Sequence, residues 1–243
     1  MTNRPDYADD VAASFSEDWA RQYRDLDEQA LADGEAGSHY GAILGQISAS
    51  FGRPIDVLDA GCGTGRYFHC LRNARQLVGV DISSSMLKLA RTPIRQEQLE
   101  VREINLICGD ALAVKLPLAR FDLIYSIGVM GEYSPLDQSV IRRFRDLLAP
   151  RGVLFVTAVD SATRVSVPET GTPSFTRRLM RKGFPHLPHP LRRSLNRILS
   201  PFYVSRAQLQ TAFSAAGFSD FTLNEYVHTS GWLGTHWDCT ARN

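Results

Sequence analysis

Val57-Leu-Asp-Ala-Gly-Cys-Gly-Thr-Gly-Arg66 is the stretch whose reading decides how this chain folds. It continues an apolar run from Ile55 that suits a buried strand, then places glycines at alternate positions: Gly61, Gly63 and Gly65. Without Cβ atoms, such a turn lets backbone approach a ligand closely. A dinucleotide-phosphate turn has the spacing GxGxxG, and here Arg66 stands where its last glycine would fall. A Walker phosphate loop would end in Gly-Lys-Ser/Thr, which is absent. The turn therefore suits a nucleoside without phosphates.

Outward from this turn, short apolar runs alternate with helical stretches. Leu77–Val80 reads as a strand ending at Asp81, Ile104–Cys108 as a third, Phe121–Ser126 as a fourth and Val153–Thr157 as a fifth. A helix is expected after the glycines through about Arg72. A second carries Met86, Leu87 and Leu89, and a third carries Ile141, Phe144 and Leu148 before Pro150-Arg-Gly152. This alternation predicts a parallel sheet with helices on both faces. Ahead of it, Phe15, Trp19, Tyr23 and Leu26 fall at helical spacing, as do Tyr40, Ile43, Leu44 and Ile47. Near the end, Ser205-Arg-Ala-Gln208 fits a capping box and Gly217 a helix stop, followed by extended segments over 218–227 and 235–242.

Three carboxylates fall at strand ends. Asp81 is placed to accept both ribose hydroxyl hydrogens. Asp110 is placed to accept from an adenine amino group, and Asp59 to face a cationic amine.

With these residues in place the chain resembles the class I S-adenosylmethionine-dependent methyltransferases. The matching stretches are Val57–Gly65, Gly79–Ser83, Cys108–Ala111, Phe121–Ser126 and Leu147–Leu154, in the family's order. The last departs from the family's Pro-Gly-Gly at Arg151. The resemblance implies a Rossmann-like doubly wound sheet of about seven strands, mostly parallel with an antiparallel last strand, and helices on both faces. It implies S-adenosyl-L-methionine as cofactor and S-adenosyl-L-homocysteine as product. It assigns Asp59, Gly61 and Gly63 to the methionine moiety, Cys62 to the cofactor site beside them and Asp81 to the ribose. Ile82 and Met86 fall beside the adenine, with Asp110 and Ala111 at its edge. Ser126 and Ile127 line the floor, and Tyr23 and Trp19 belong to a covering N-terminal helix, with Trp19 on the acceptor side. Glu132 and Tyr133 lie at the mouth, where many relatives carry Glu-His. His236 is a second candidate base beside Glu132, and Trp232 a candidate acceptor contact in the Gly231–Trp237 loop.

The domain reading is 1–50, a helical cap; 51–160, the cofactor-binding core; 161–204, a basic Pro/Arg-rich insertion and lid; and 205–243, a helix and two strands completing the sheet. No Asp or Glu occurs between Thr170 and Ser219, where Arg177, Arg178, Arg181, Lys182, Arg192, Arg193 and Arg197 fall. That insertion leaves nucleic-acid or lipid methylation as an alternative, although sparse aromatic interleaving speaks against nucleic acid. A non-catalytic cofactor-binding regulatory module is a second alternative, and a nicotinamide oxidoreductase is disfavoured by Arg66. One domain plus a lid favours a small-molecule acceptor. The net charge of +1 gives no global pull toward polyanions. Four cysteines without CxxC spacing read as reduced thiols in a cytoplasmic protein, with no metal site. No apolar run approaches the roughly 20 residues of a membrane span. Monomer and homodimer are both compatible with the sequence.

Overall fold

Every residue of Ile55–Ala60 (β1) is buried, and so is every residue of Phe121–Ser126 (β4). Strands buried along their whole length fit the middle of a sheet covered on both faces. In the structure, a computed structural model that describes residues 16–32, 37–163, 202–227 and 235–243, β1 and β4 are parallel neighbours at that centre. Around them lie Ala74–Asp81 (β2), Glu103–Cys108 (β3), Leu148–Val159 (β5), Asp220–Val227 (β6) and Thr235–Arg242 (β7). The order is β3-β2-β1-β4-β5-β7-β6, with β7 antiparallel to both its neighbours and the first five strands parallel. This is the doubly wound, mostly parallel sheet expected from the sequence.

Alternate residues of each central strand face opposite layers. Val57, Leu123, Tyr125 and Phe155 point to one side, against Tyr40 and Leu44 of Gly37–Ser50 (α2) and Leu87 of Ser84–Ala90 (α3). Leu58, Ile124, Leu154 and Val156 point to the other, against Ile141 and Phe144 of Gln138–Leu147 (α4) and Leu209 and Phe213 of Arg206–Ala215 (α5). The remaining helix among the described residues, Glu17–Ala32 (α1), precedes these in the chain. Asp137 caps α4 by accepting from the Ser139 and Val140 amides at 2.8 and 3.0 Å, worth about 1 kcal/mol. The capping box of α5 forms as expected, Ser205 and Gln208 each bonding the other's amide. Gly217, at φ +94°, closes α5 with a Phe218 amide bond to the Phe213 carbonyl.

Four expectations change, the first at Leu148, which opens β5 instead of ending the stripe of α4. The helix through Arg72 is instead one 3₁₀ turn, Phe68–Cys70. Tyr67, Phe68 and His69 are buried in succession, a pattern no single helix face can satisfy. β2 starts at Ala74, three residues before the apolar run, because Ile55 and Ala74 already pair there. On α1 the face turned inward carries Ala20 and Asp27, 1 and 2 % exposed, while Leu26 is 46 % exposed. Phe15 lies outside the described residues. Among those residues, no helix is long and apolar enough to cross a membrane.

The order reverses at β1, whose successor β2 lies on one side and β4 on the other. Such a reversal opens a crevice at the strands' C-terminal ends, where ligands bind in open α/β sheets. The opposite end is closed by carboxylates and arginines: Asp56 meets Arg75 at 2.7 Å and Arg120 at 3.1 Å, and Asp122 meets Arg53 at 2.7 Å.

Candidate functional site

The crevice is a real cavity, of about 240 Å³. The end of β1 supplies Asp59, Gly61, Cys62 and Gly63 to its wall; β2 supplies Asp81 and Ile82, and α3 supplies Met86. Asp110 and Ala111 follow β3, and Ile127, Glu132 and Tyr133 follow β4. His236, from β7, and Trp19 and Tyr23, from α1, complete the set. Residues far apart in sequence thus converge on one cavity. Ser126 does not reach the wall. It is fully buried, and its hydroxyl donates to the Ala60 carbonyl at 2.6 Å, tying β4 to β1 beneath the cavity. Trp232 lies outside the described residues, as do positions 164–201 of the basic insertion.

The hydrogen bonds of the glycine turn bear directly on the ligand. Gly61 and Cys62 amides donate to the Val80 carbonyl at 2.8 and 3.0 Å, and the Gly65 amide to the Cys62 carbonyl at 2.9 Å. The Gly63 amide donates to Asp81 Oδ2 at 2.8 Å. A phosphate cradle works through backbone N–H groups aimed at the anion. Here four are committed to the protein, so the turn offers a smooth backbone surface and little for a phosphate.

The glycines differ in what they permit. A Cβ on Gly61, at φ +93°, would stand 2.5 Å from a Val129 methyl carbon. One on Gly63, at φ +51°, would meet nothing within 4 Å, because it faces the open cavity. Gly61→Ala is expected to lower the melting temperature sharply, adding overpacking of roughly 1–3 kcal/mol to the cost of a left-handed backbone. Gly63→Ala should lose only about 1 kcal/mol but intrude on whatever fills the crevice. Thermal unfolding of the two variants side by side checks this order.

Electrostatically the floor is acidic and dry. Burial pushes the Asp59 carboxyl up to about 8, with the nearby Tyr125 hydroxyl opposing and the Asp81 charge adding. Burial also raises Asp81, against the two amides that stabilise its charged form, Gly63 and Ser83. Two neighbouring carboxyls of this kind accommodate a cation more readily than an anion. Burial likewise raises the Cys62 thiol, leaving it a packing group on the wall, not a nucleophile.

A family model described as a methyltransferase domain matches residues 57–152. That match covers the turn, both flanking strands and the reversal point of the sheet. Residues 57–152 are thus similar to a methyltransferase domain. A ubiquinone biosynthesis O-methyltransferase of Coxiella burnetii is 33 % identical over 105 residues, 43 % of this chain and 43 % of that protein. The chain thus spans between 41 and 56 % of the length of curated relatives it matches. Over the whole chain, the fold is shared with magnesium protoporphyrin IX methyltransferase from Synechocystis PCC 6803 (TM-score 0.63, 13 % identity, all of both chains). It is also shared with 1,6-didemethyltoxoflavin-N1-methyltransferase from Burkholderia thailandensis (TM-score 0.59, 17 % identity, 100 % of this chain and 91 % of that one).

The cavity also holds residues that sequence reasoning missed. Tyr40, Tyr67, Thr157 and Met130 line it. Tyr40 belongs to the stripe that identified α2, and Thr157 ends the fifth apolar run; in each the signal was present but read as packing. Thr157 Oγ1 accepts from the Gly128 amide at 3.0 Å and so holds the loop after β4. Thr64 and Arg66, also on the wall, reach back to the buried Asp27 of α1. No motif marks that carboxylate.

Proposed function

We propose that this chain is an S-adenosylmethionine-dependent methyltransferase acting on a small-molecule acceptor. The observation that carries the reading is the pairing of an inward-bonded glycine turn with carboxylates at three successive strand ends around one cavity. Asp81 takes the ribose hydroxyls on its remaining lone pairs. Ile82 and Met86 flank the adenine, with Asp110 and Ala111 at its edge. Asp59, Gly61, Cys62 and Gly63 hold the methionine portion, where the acidic floor suits an ammonium and a sulfonium. Ile127 lies beneath. Residues 1–50 act as the cap, carrying Trp19 and Tyr23, while 205–243 complete the sheet. A cytoplasmic setting accords with the free thiols of Cys62, Cys70, Cys108 and Cys239.

The bound cofactor supplies a methyl group on a sulfonium, a good electrophile. The chain's part is to hold the acceptor in line with it and to exclude water, and proximity of this kind offers up to about 7–11 kcal/mol. The acceptor half lies over β4, β5 and β7, where Tyr40, Glu132, Tyr133, Thr157 and His236 face the cavity. Glu132 and His236 are the groups placed to take a proton. For an acceptor that must lose one, the variant removing the acting base, Glu132→Gln or His236→Gln, should lower kcat by roughly 10²–10⁴-fold. Affinity for S-adenosylhomocysteine should change little. Wild-type kcat in both variants would remove these side chains from proton transfer.

The small-molecule acceptor is supported by the aromatic enclosure and by the relatives' names, among them a ubiquinone-biosynthesis enzyme and one methylating 1,6-didemethyltoxoflavin. Incubation with methyl-labelled S-adenosylmethionine and a panel of phenols, heteroaromatic amines, tRNA and phospholipid vesicles tests it. Label in a small molecule with matching S-adenosylhomocysteine supports the reading; label confined to tRNA or lipid would overturn it.

A further inference from the structure

Among the described residues Asp27 is one of the most deeply buried charged groups, yet it does not line the cavity. Its Oδ1 lies 2.9 Å from Arg66 Nη1, and its Oδ2 accepts from Thr64 Oγ1 at 3.1 Å. Both carboxylate oxygens are thus engaged by the residues on either side of Gly65. The Arg66 guanidinium also lies near the Tyr23 hydroxyl and 5.4 Å over the Tyr67 ring. Tyr23 is one helical turn before Asp27 on the same face of α1, and Trp19 one turn before that, stacked on Tyr23 with centroids 5.0 Å apart. At the helix's other flank, Arg24 donates to the Leu89 carbonyl at 3.1 Å and to the Thr92 carbonyl, and Lys88 meets Glu17 at 3.2 Å. α1 is therefore fastened to α3 and to the glycine turn, two elements that themselves form the cavity.

We propose that Asp27 is a positioning residue that, through Arg66 and Thr64, couples the seating of α1 to the glycine turn and so places Tyr23 and Trp19 over the methionine end of the ligand. Burying an ion pair seldom stabilises a fold relative to apolar packing, because desolvation offsets most of the attraction. A carboxylate held in so dry a place suits a part that fixes geometry. It also draws Nη1 of Arg66, a residue of the cavity wall, toward Asp27.

This inference rests on the cofactor reading, and the experiment separates the two. S-adenosylhomocysteine is titrated by calorimetry into the wild type, Asp27→Asn, Arg66→Gln and the double variant, with melting temperatures measured alongside. Asp27→Asn should weaken binding tenfold or more, and the double variant should bind no worse than Arg66→Gln, since one contact is being cut from either side. Trp19 fluorescence, identified by difference against Trp19→Phe, should respond to ligand in the wild type and much less in Asp27→Asn. A lowered melting temperature with affinity within twofold of wild type would mark Asp27 as merely structural and overturn the proposal. Absence of binding by the wild type would overturn the cofactor reading itself. Hydrogen exchange on the wild type does not depend on any variant folding. Ligand should slow exchange in residues 17–32 together with 61–66, and slowing confined to 61–66 would contradict the coupling.

Discussion

Asp81→Ala is expected to damage both the ligand site and the turn that forms it. The Asp81 carboxylate already accepts from the Gly63 amide at 2.8 Å and the Ser83 amide at 2.9 Å. Alanine therefore orphans two amides in a half-buried setting, at about 1–3 kcal/mol for each that stays dry. Loss of the ribose contacts adds about 1.5–3 kcal/mol, as for hydrogen bonds to a charged group. The variant should melt several degrees lower and bind S-adenosylhomocysteine at least tenfold, and up to several hundredfold, more weakly. Asp81→Asn should be almost as damaging. A carboxamide can accept on one side only, so its NH₂ faces either the Gly63 or the Ser83 amide, donor against donor. Calorimetry and thermal unfolding on the three proteins check this. An asparagine variant with wild-type affinity would show that the carboxylate's second oxygen is dispensable.

Asp59→Asn should separate stability from binding, moving them in opposite directions. The Asp59 carboxyl is pushed up to about 8 from 3.8, chiefly by burial. A carboxyl raised on folding favours the protonated native state. Its contribution is full below about pH 4, declines as pH rises toward 8 and is lost above that. At pH 7 this carboxyl therefore opposes folding, by an amount on the order of a few kcal/mol. Asparagine removes that opposition. The unliganded variant is expected to melt higher than wild type at pH 7 and to show a flatter stability profile between pH 5 and 8. Binding should go the other way. A cationic ligand end draws Asp59 toward its charged form, so wild-type binding near pH 7 should release protons, seen as buffer-dependent heats. In Asp59→Asn that release should fall away and affinity should drop tenfold or more. Equal pH slopes in the two proteins would show that Asp59 does not titrate in this range.

Much of the fold was legible because its strongest signals are local. The short, largely apolar runs of β1 and β4 suit the centre of a covered sheet, and Asp81 and Asp110 fall at the ends of strands that similar runs marked. The turn was legible from its glycines alone. Sequence could not tell Ser126 from Ile127 on the wall, because which side of β4's end faces the cavity depends on pairing with β1. Nor could it find Asp27. Helical spacing ranked Trp19, Tyr23 and Leu26 as the inner stripe, and an acidic residue beside them reads as solvated. Its partner Thr64 lies 37 positions away, and only the docked helix brings them together. The expected helix after the glycines failed for a related reason: Tyr67, Phe68 and His69 are each held by tertiary packing, which outweighs helical propensity over so short a span.

The most direct test of the whole account is a calorimetric titration of the purified, folded protein with S-adenosylhomocysteine, with NADH and ATP as comparison ligands. The expected result is one saturable site for S-adenosylhomocysteine, accompanied by proton release near neutral pH, and no comparable heat from the phosphate-bearing ligands. Tight binding of NADH or ATP, or none of S-adenosylhomocysteine, would contradict it.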